Sequence, residues 1–94
     1  MPRLDVYVAE HCFGCQEARR LASEMAARFA ALSVHVVDLE RAPDERPESL
    51  VAVPAYVLGG HVIALGNPRQ TDLFTCLQRL LEARPAWERG DGAS

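Results

Sequence analysis

Two short runs rich in β-branched and aromatic residues, "LDVYV" at 4–8 and "VHVVDL" at 34–39, stand on either side of one helix-length amphipathic segment. No other feature constrains the fold as strongly. Runs of this kind read as strands. Between them, from about Phe13 to Leu32, apolar residues recur at spacings of three and four: Ala18, Leu21, Ala22, Met25, Ala26, Phe29 and Leu32. The other face carries Glu17, Arg20, Glu24 and Arg28, and Glu24 precedes Arg28 in the favoured i,i+4 order. Two strands joined by a crossover helix of this length pair in parallel.

The second half of the chain follows a different rule. "PAYVL" and "HVIAL" flank Gly59-Gly60. That is a hairpin signal, because glycine tolerates the positive φ of tight primed turns. "GNPRQTDLFTCLQRLLEAR" then reads as a helix, with Asn67 as N-cap, Pro68 at the first helical position, and Leu73, Phe74, Leu77, Leu80 and Leu81 as its apolar stripe. "ERAPDERPES" between the two halves is a polar loop, with one short helical turn expected near Glu45–Leu50. The fold expected is α/β, in the order β-α-β-β-β-α: a four-stranded mixed sheet flanked by helices, one able to cover each face. One domain spans residues 1–84; the tail 85–94 starts with Pro85, ends in small polar residues and is expected to be disordered, with Trp87 a partly exposed residue of it rather than a site.

A length of 94 residues allows one domain. The net charge is −3 and all ten basic residues are arginines scattered along the chain, so there is no basic cluster for nucleic acid. No stretch reaches membrane-spanning length. The opening "MPRLDVYVAE" is interrupted by Asp5 and Glu10 and is not expected to act as a signal peptide. The expected location is therefore cytoplasmic, where structural disulfides are rare. Three cysteines, an odd count, also fit a disulfide scaffold poorly.

Cys12 and Cys15 form a CxxC where the first strand gives way to the helix. Unpaired N–H groups of a first helical turn point at such a position and favour negative charge there. A thiolate so placed has a lowered pKa, and the thiolate is the nucleophile of disulfide exchange. Residues 15, 18, 22, 25 and 29 share one face, so Cys15 is expected to be the more buried thiol and Cys12 the more exposed. This suits a division of labour in which Cys12 attacks a substrate disulfide and Cys15 resolves the mixed disulfide. Phe13 can shield the attacking sulfur, Gly14 loosens the first turn, and a protonated His11 would stabilise the thiolate. A metal site is the competing reading, but a tetrahedral site needs about four ligands. Only Cys76 and three scattered histidines remain to complete one.

Val53-Pro54, ahead of the hairpin, also has two readings. Proline is tolerated as the first residue of a strand. Alternatively the bond is cis, which would bend the chain and present the backbone of Val53 to a bound peptide. With "EHCFGC" after the first strand, "VPAYVLGG" opening the hairpin and a closing helix after "LGNP", the sequence resembles the thioredoxin superfamily over about residues 3 to 84, most of all its small glutaredoxin-like members. The resemblance implies a cis-proline loop lying against the cysteine pair. It carries Cys12 over as nucleophile, Cys15 as resolving thiol, Pro54 as the cis-proline, and Val53 as the residue whose backbone meets substrate. The sequence departs from the thioredoxin pattern at His11 in place of Trp, at Phe13-Gly14 in place of Gly-Pro, and at Val6 in place of a buried Asp. From the glutaredoxin pattern it departs at "LGNPRQTD", which offers only Gly66 of a Gly-Gly-x-x-Asp glutathione site.

The function expected is a monomeric thiol–disulfide oxidoreductase acting on a protein or small-molecule disulfide. It requires no cofactor, and glutathione or a reductase recharges it. The alternatives are a metal or [2Fe–2S] carrier binding through Cys12, and a redox-silent thioredoxin-like interaction module. Of the remaining residues, Cys76 reads as a buried, inert core cysteine. His35 reads as structural, His61 as exposed, and Arg19 as a solvated arginine near the motif.

Overall fold

The computed structural model of the chain describes residues 2–9, 14–45 and 52–83. Its elements are β1 (Arg3–Val8), α1 (Cys15–Arg28), β2 (Ser33–Asp38), a single 3₁₀ turn (Pro43–Glu45), β3 (Ala55–Leu58), β4 (His61–Leu65) and α2 (Gln70–Glu82). The strands form one sheet in the order β2-β1-β3-β4. β1 and β2 are parallel, whereas β1–β3 and β3–β4 are antiparallel, so the sheet is mixed.

Pairing fixes which residues face the core. Leu4 stands opposite Leu58, and Val6 opposite Tyr56. Side chains alternate along a strand, so Leu4, Val6 and Val8 share one face with Tyr56 and Leu58. Both helices pack there: Ala18, Leu21, Ala22 and Met25 of α1 join Leu73 and Leu77 of α2 in one buried cluster. The expectation of one helix for each face is corrected to two helices on a single face. The opposite face buries a smaller cluster of Tyr7, Val37, Leu39, Ala55 and Val57. Each fully buried Leu or Met stabilises the fold by ~1.5–3 kcal/mol relative to an exposed one.

The turn between β3 and β4 has both glycines at positive φ, 57° at Gly59 and 87° at Gly60. That is the geometry a two-residue hairpin requires.

The helix ends differ from their sequence expectation. α1 stops at Arg28 rather than continuing to Leu32. Phe29 turns extended (φ −120°, ψ 92°) while its N–H still bonds the Met25 carbonyl. This frees its ring to lie against Phe74, with centroids 5.0 Å apart, and the turn carries Leu32 into the core. The apolar spacing past residue 28 thus reports burial and not helix. α2 starts at Gln70, not Pro68, with Arg69 at the N-cap and no side-chain cap. The helical turn expected near Glu45–Leu50 is the 3₁₀ turn at Pro43–Glu45, and residues 46–50 lie outside the described part. The tail expectation for 85–94 falls outside it too. The Glu24–Arg28 pair forms, at 2.9 Å. No helix among the described residues is long and apolar enough to cross a membrane.

Candidate functional site

Cys15 is the first residue of α1 and is 3% exposed. It heads the stripe Ala18–Ala22–Met25, so docking α1 on the sheet carries its sulfur inward. Cys15 is disulfide-bonded, whereas Cys76 is a free thiol. The N–H of Ala9, just past the end of β1, donates to Cys15 Sγ at 3.4 Å. His11, Cys12 and Phe13 lie outside the described residues.

The turn into α1 is held by a relay that the sequence did not announce. Gly14 sits at φ 99°, in the left-handed region. Its carbonyl accepts the first bond of α1, from the Ala18 N–H at 3.1 Å, and a second bond from Asn67 Nδ2 at 2.7 Å. Asn67 Oδ1 in turn accepts from the Tyr56 hydroxyl at 2.8 Å. The sequence assigns Asn67 to capping α2. The structure gives its side chain to this link, and the backbone of 67–69 stays outside the helix as a result. Tyr56 was a recoverable signal, because a core tyrosine needs a partner for its hydroxyl.

Two expected outcomes follow from this turn. A Cβ built on Gly14 would stand 3.1 Å from Asn67 Nδ2, and the φ already disfavours any side chain. Gly14→Ala should therefore lose roughly 1–2 kcal/mol, lowering Tm by about 5–15 °C in a domain of this size. Thermal unfolding by circular dichroism measures this, and an unchanged Tm would contradict it. Burial also pushes the Tyr56 hydroxyl up from 10.0 to about 12. The folded state thus holds the phenol proton that the unfolded chain releases near pH 10. The associated stability is intact below pH 10 and is lost as pH rises toward 12, by on the order of 2–3 kcal/mol. Tyr56→Phe should flatten that alkaline decline, read as Tm against pH. The share due to Tyr7, whose hydroxyl burial also raises, remains. An identical decline in the variant would refute the assignment.

Val53 and Pro54 enter β3 beside the same core. The Val53–Pro54 bond is cis. Pro54 is buried, and its carbonyl accepts the Gly66 N–H at 2.8 Å, closing the base of the hairpin. Val53 is half-buried and packs against both apolar clusters, the larger of which contains Cys15. An open groove of about 980 Å³ leads to Cys15, lined by Ala9, Gln16 and Arg19 on one side and by β2 residues His35 to Asp38 on the other. Arg19 is exposed and loosely paired with Asp38 at 3.4 Å. Glu17, in the first turn of α1, accepts from Arg20 one turn on, and this hydrogen bond lowers the Glu17 pKa.

The other candidates lie elsewhere. Cys76 is half-buried, not buried: it sits on the flank of the Leu73/Leu77 stripe, beside a shallow pocket with Asp72, Thr75, Arg79 and Leu80. His35 lies exposed on the edge strand, 2.8 Å from the Ser33 hydroxyl. His61 is exposed at the hairpin. Val6 on β1 is fully buried and apolar.

This architecture is a thioredoxin-like fold. Mitochondrial thioredoxin 3 from Saccharomyces cerevisiae, in its oxidised form, matches it with a TM-score of 0.69 and 20% identity over 84% of this chain and 78% of that one. A designed protein matches with a TM-score of 0.62 and 21% identity over 88% of this chain and 75% of that one. The likeness is one of fold. No protein-family model matches the chain, and no curated protein does.

Proposed function

We propose that the protein is a thiol–disulfide oxidoreductase working through Cys12 and Cys15. The observation that carries this reading is Cys15 itself: a disulfide-bonded sulfur, buried at the first residue of α1, in a thioredoxin-like fold. Cys12 as thiolate attacks one sulfur of a substrate disulfide. The Cys12–substrate bond forms, and the other substrate sulfur leaves as thiolate and takes a proton. Cys15 then attacks the Cys12 sulfur, the intramolecular disulfide forms, and the second substrate thiol is released. Two electrons pass to the substrate. Glutathione or a reductase dithiol returns them to the pair, and no other cofactor enters. The substrate is a protein or small-molecule disulfide held against the backbone of Val53 and against Pro54, with His11 and Phe13 beside the nucleophile. The monomer is the working unit, in a reducing compartment such as the cytoplasm.

The test is reduction of insulin disulfides with dithiothreitol as electron source. The protein should accelerate reduction well beyond dithiothreitol alone. A rate equal to the uncatalysed one rejects the proposal.

A further inference from the structure

Asn67 has no part in the exchange chemistry above, yet it joins three separate segments at the turn that carries Cys15. The Gly14 carbonyl can only accept, so the amide nitrogen of Asn67 faces it and the amide oxygen is left to accept from the Tyr56 hydroxyl. That nitrogen donates at 2.7 Å to a carbonyl 53 residues away in sequence. The oxygen it holds belongs to the Gly14–Cys15 peptide unit, whose N–H is that of Cys15. With the Ala18 N–H on the same oxygen, the plane of this peptide is pinned from two sides. Gly14 itself sits at φ 99°, and a Cβ there would be crowded by Asn67 at 3.1 Å.

We infer that Asn67 is a positioning residue for the redox thiol, holding the Gly14–Cys15 peptide so that the Cys15 sulfur keeps its bonding geometry when the disulfide opens. The inference rests on the oxidoreductase reading. In the oxidised form the disulfide restrains the turn by itself. In the reduced form the restraint comes from the Asn67 bridge. Losing the bridge lets the reduced turn spread, lowers the effective concentration of one thiol at the other, and makes the disulfide less favourable. The net worth of one such hydrogen bond corresponds to roughly three- to tenfold in an equilibrium. For a two-electron couple this raises the reduction potential by about 15–30 mV.

The experiment equilibrates the full chain with dithiothreitol redox buffers and measures the oxidised fraction, in the wild type and in Asn67→Ala, Tyr56→Phe and the double variant. Asn67→Ala should weaken the disulfide three- to tenfold. Tyr56→Phe keeps the ring in the core but releases the amide. It should shift the equilibrium in the same direction by less, and the double variant should fall short of additivity. Loss of a brace that stabilises both redox forms equally lowers Tm without moving the potential. Potentials unchanged in both single variants, whatever their Tm, therefore overturn the inference. If Asn67→Ala does not fold, Tyr56→Phe alone decides: a shifted potential supports the relay and an unshifted one refutes it. A wild type that equilibrates with dithiothreitol but reduces no insulin sinks the oxidoreductase reading instead, and leaves the potential shift as a separate result.

Discussion

Cys12→Ser should abolish catalysed insulin reduction, with the rate falling by at least ~10³-fold toward that of dithiothreitol alone. A serine hydroxyl stays protonated at neutral pH and forms no bond to sulfur that a second thiol could reopen. Both steps of the proposed exchange are therefore lost, not slowed. Cys76→Ser supplies the contrast. Cys76 is a free thiol in α2 and lines a pocket separate from the groove at Cys15. Its replacement should leave the rate within roughly twofold, as for a residue that stabilises no transition state. A Cys12→Ser protein that keeps its rate while Cys76→Ser loses it would reverse the assignment of the nucleophile.

The largest expected loss of stability lies in α2. Leu77 is 0% exposed and seals the cluster that unites both helices with β1 and β3. Leu77→Ala removes that burial and leaves a cavity, at a cost of about 2–5 kcal/mol. Tm should fall by roughly 10–30 °C. Leu65, on the edge strand β4, is 53% exposed. Leu65→Ala should therefore stay within about 0.5 kcal/mol of the wild type. The pair of variants also tests how firmly α2 is docked on the sheet. Were α2 only loosely attached, the two substitutions would have similar small effects. Thermal unfolding of the three proteins under one set of conditions settles it.

The parts of the fold that the sequence makes legible are those governed by short-range rules. "LDVYV" and "VHVVDL" had to be strands, and the segment between them had to cross over, so β1 and β2 run parallel. Gly59-Gly60 carried its own turn geometry. The burial of Cys15 followed from its place at the head of the Ala18–Ala22–Met25 stripe. What escaped depends on distant partners. The spacing that brings Phe29 and Leu32 to the core is satisfied by a turn as well as by a helix, and only the ring of Phe74 decides which. Asn67-Pro68 has every local mark of a helix start, yet Tyr56 and Gly14 claim the side chain. Cys76 shares a helix with Leu73 and Leu77, but one position off the stripe leaves it half-buried. The expected burial of Cys15 and the cis Val53-Pro54 bond are both present, whereas the Tyr56–Asn67–Gly14 relay had no local mark in the sequence. Each link of that relay joins residues at least eleven apart in sequence.

Trapping the exchange intermediate tests the proposed function most directly. Cys15→Ser leaves the attacking thiol and removes the one that resolves its product. Incubated with oxidised glutathione or a disulfide-bonded protein substrate and then alkylated, this variant should accumulate one mixed disulfide. Peptide mass mapping should place that adduct on Cys12. No adduct at Cys12, or an adduct on Cys76 in its place, would contradict the proposed exchange.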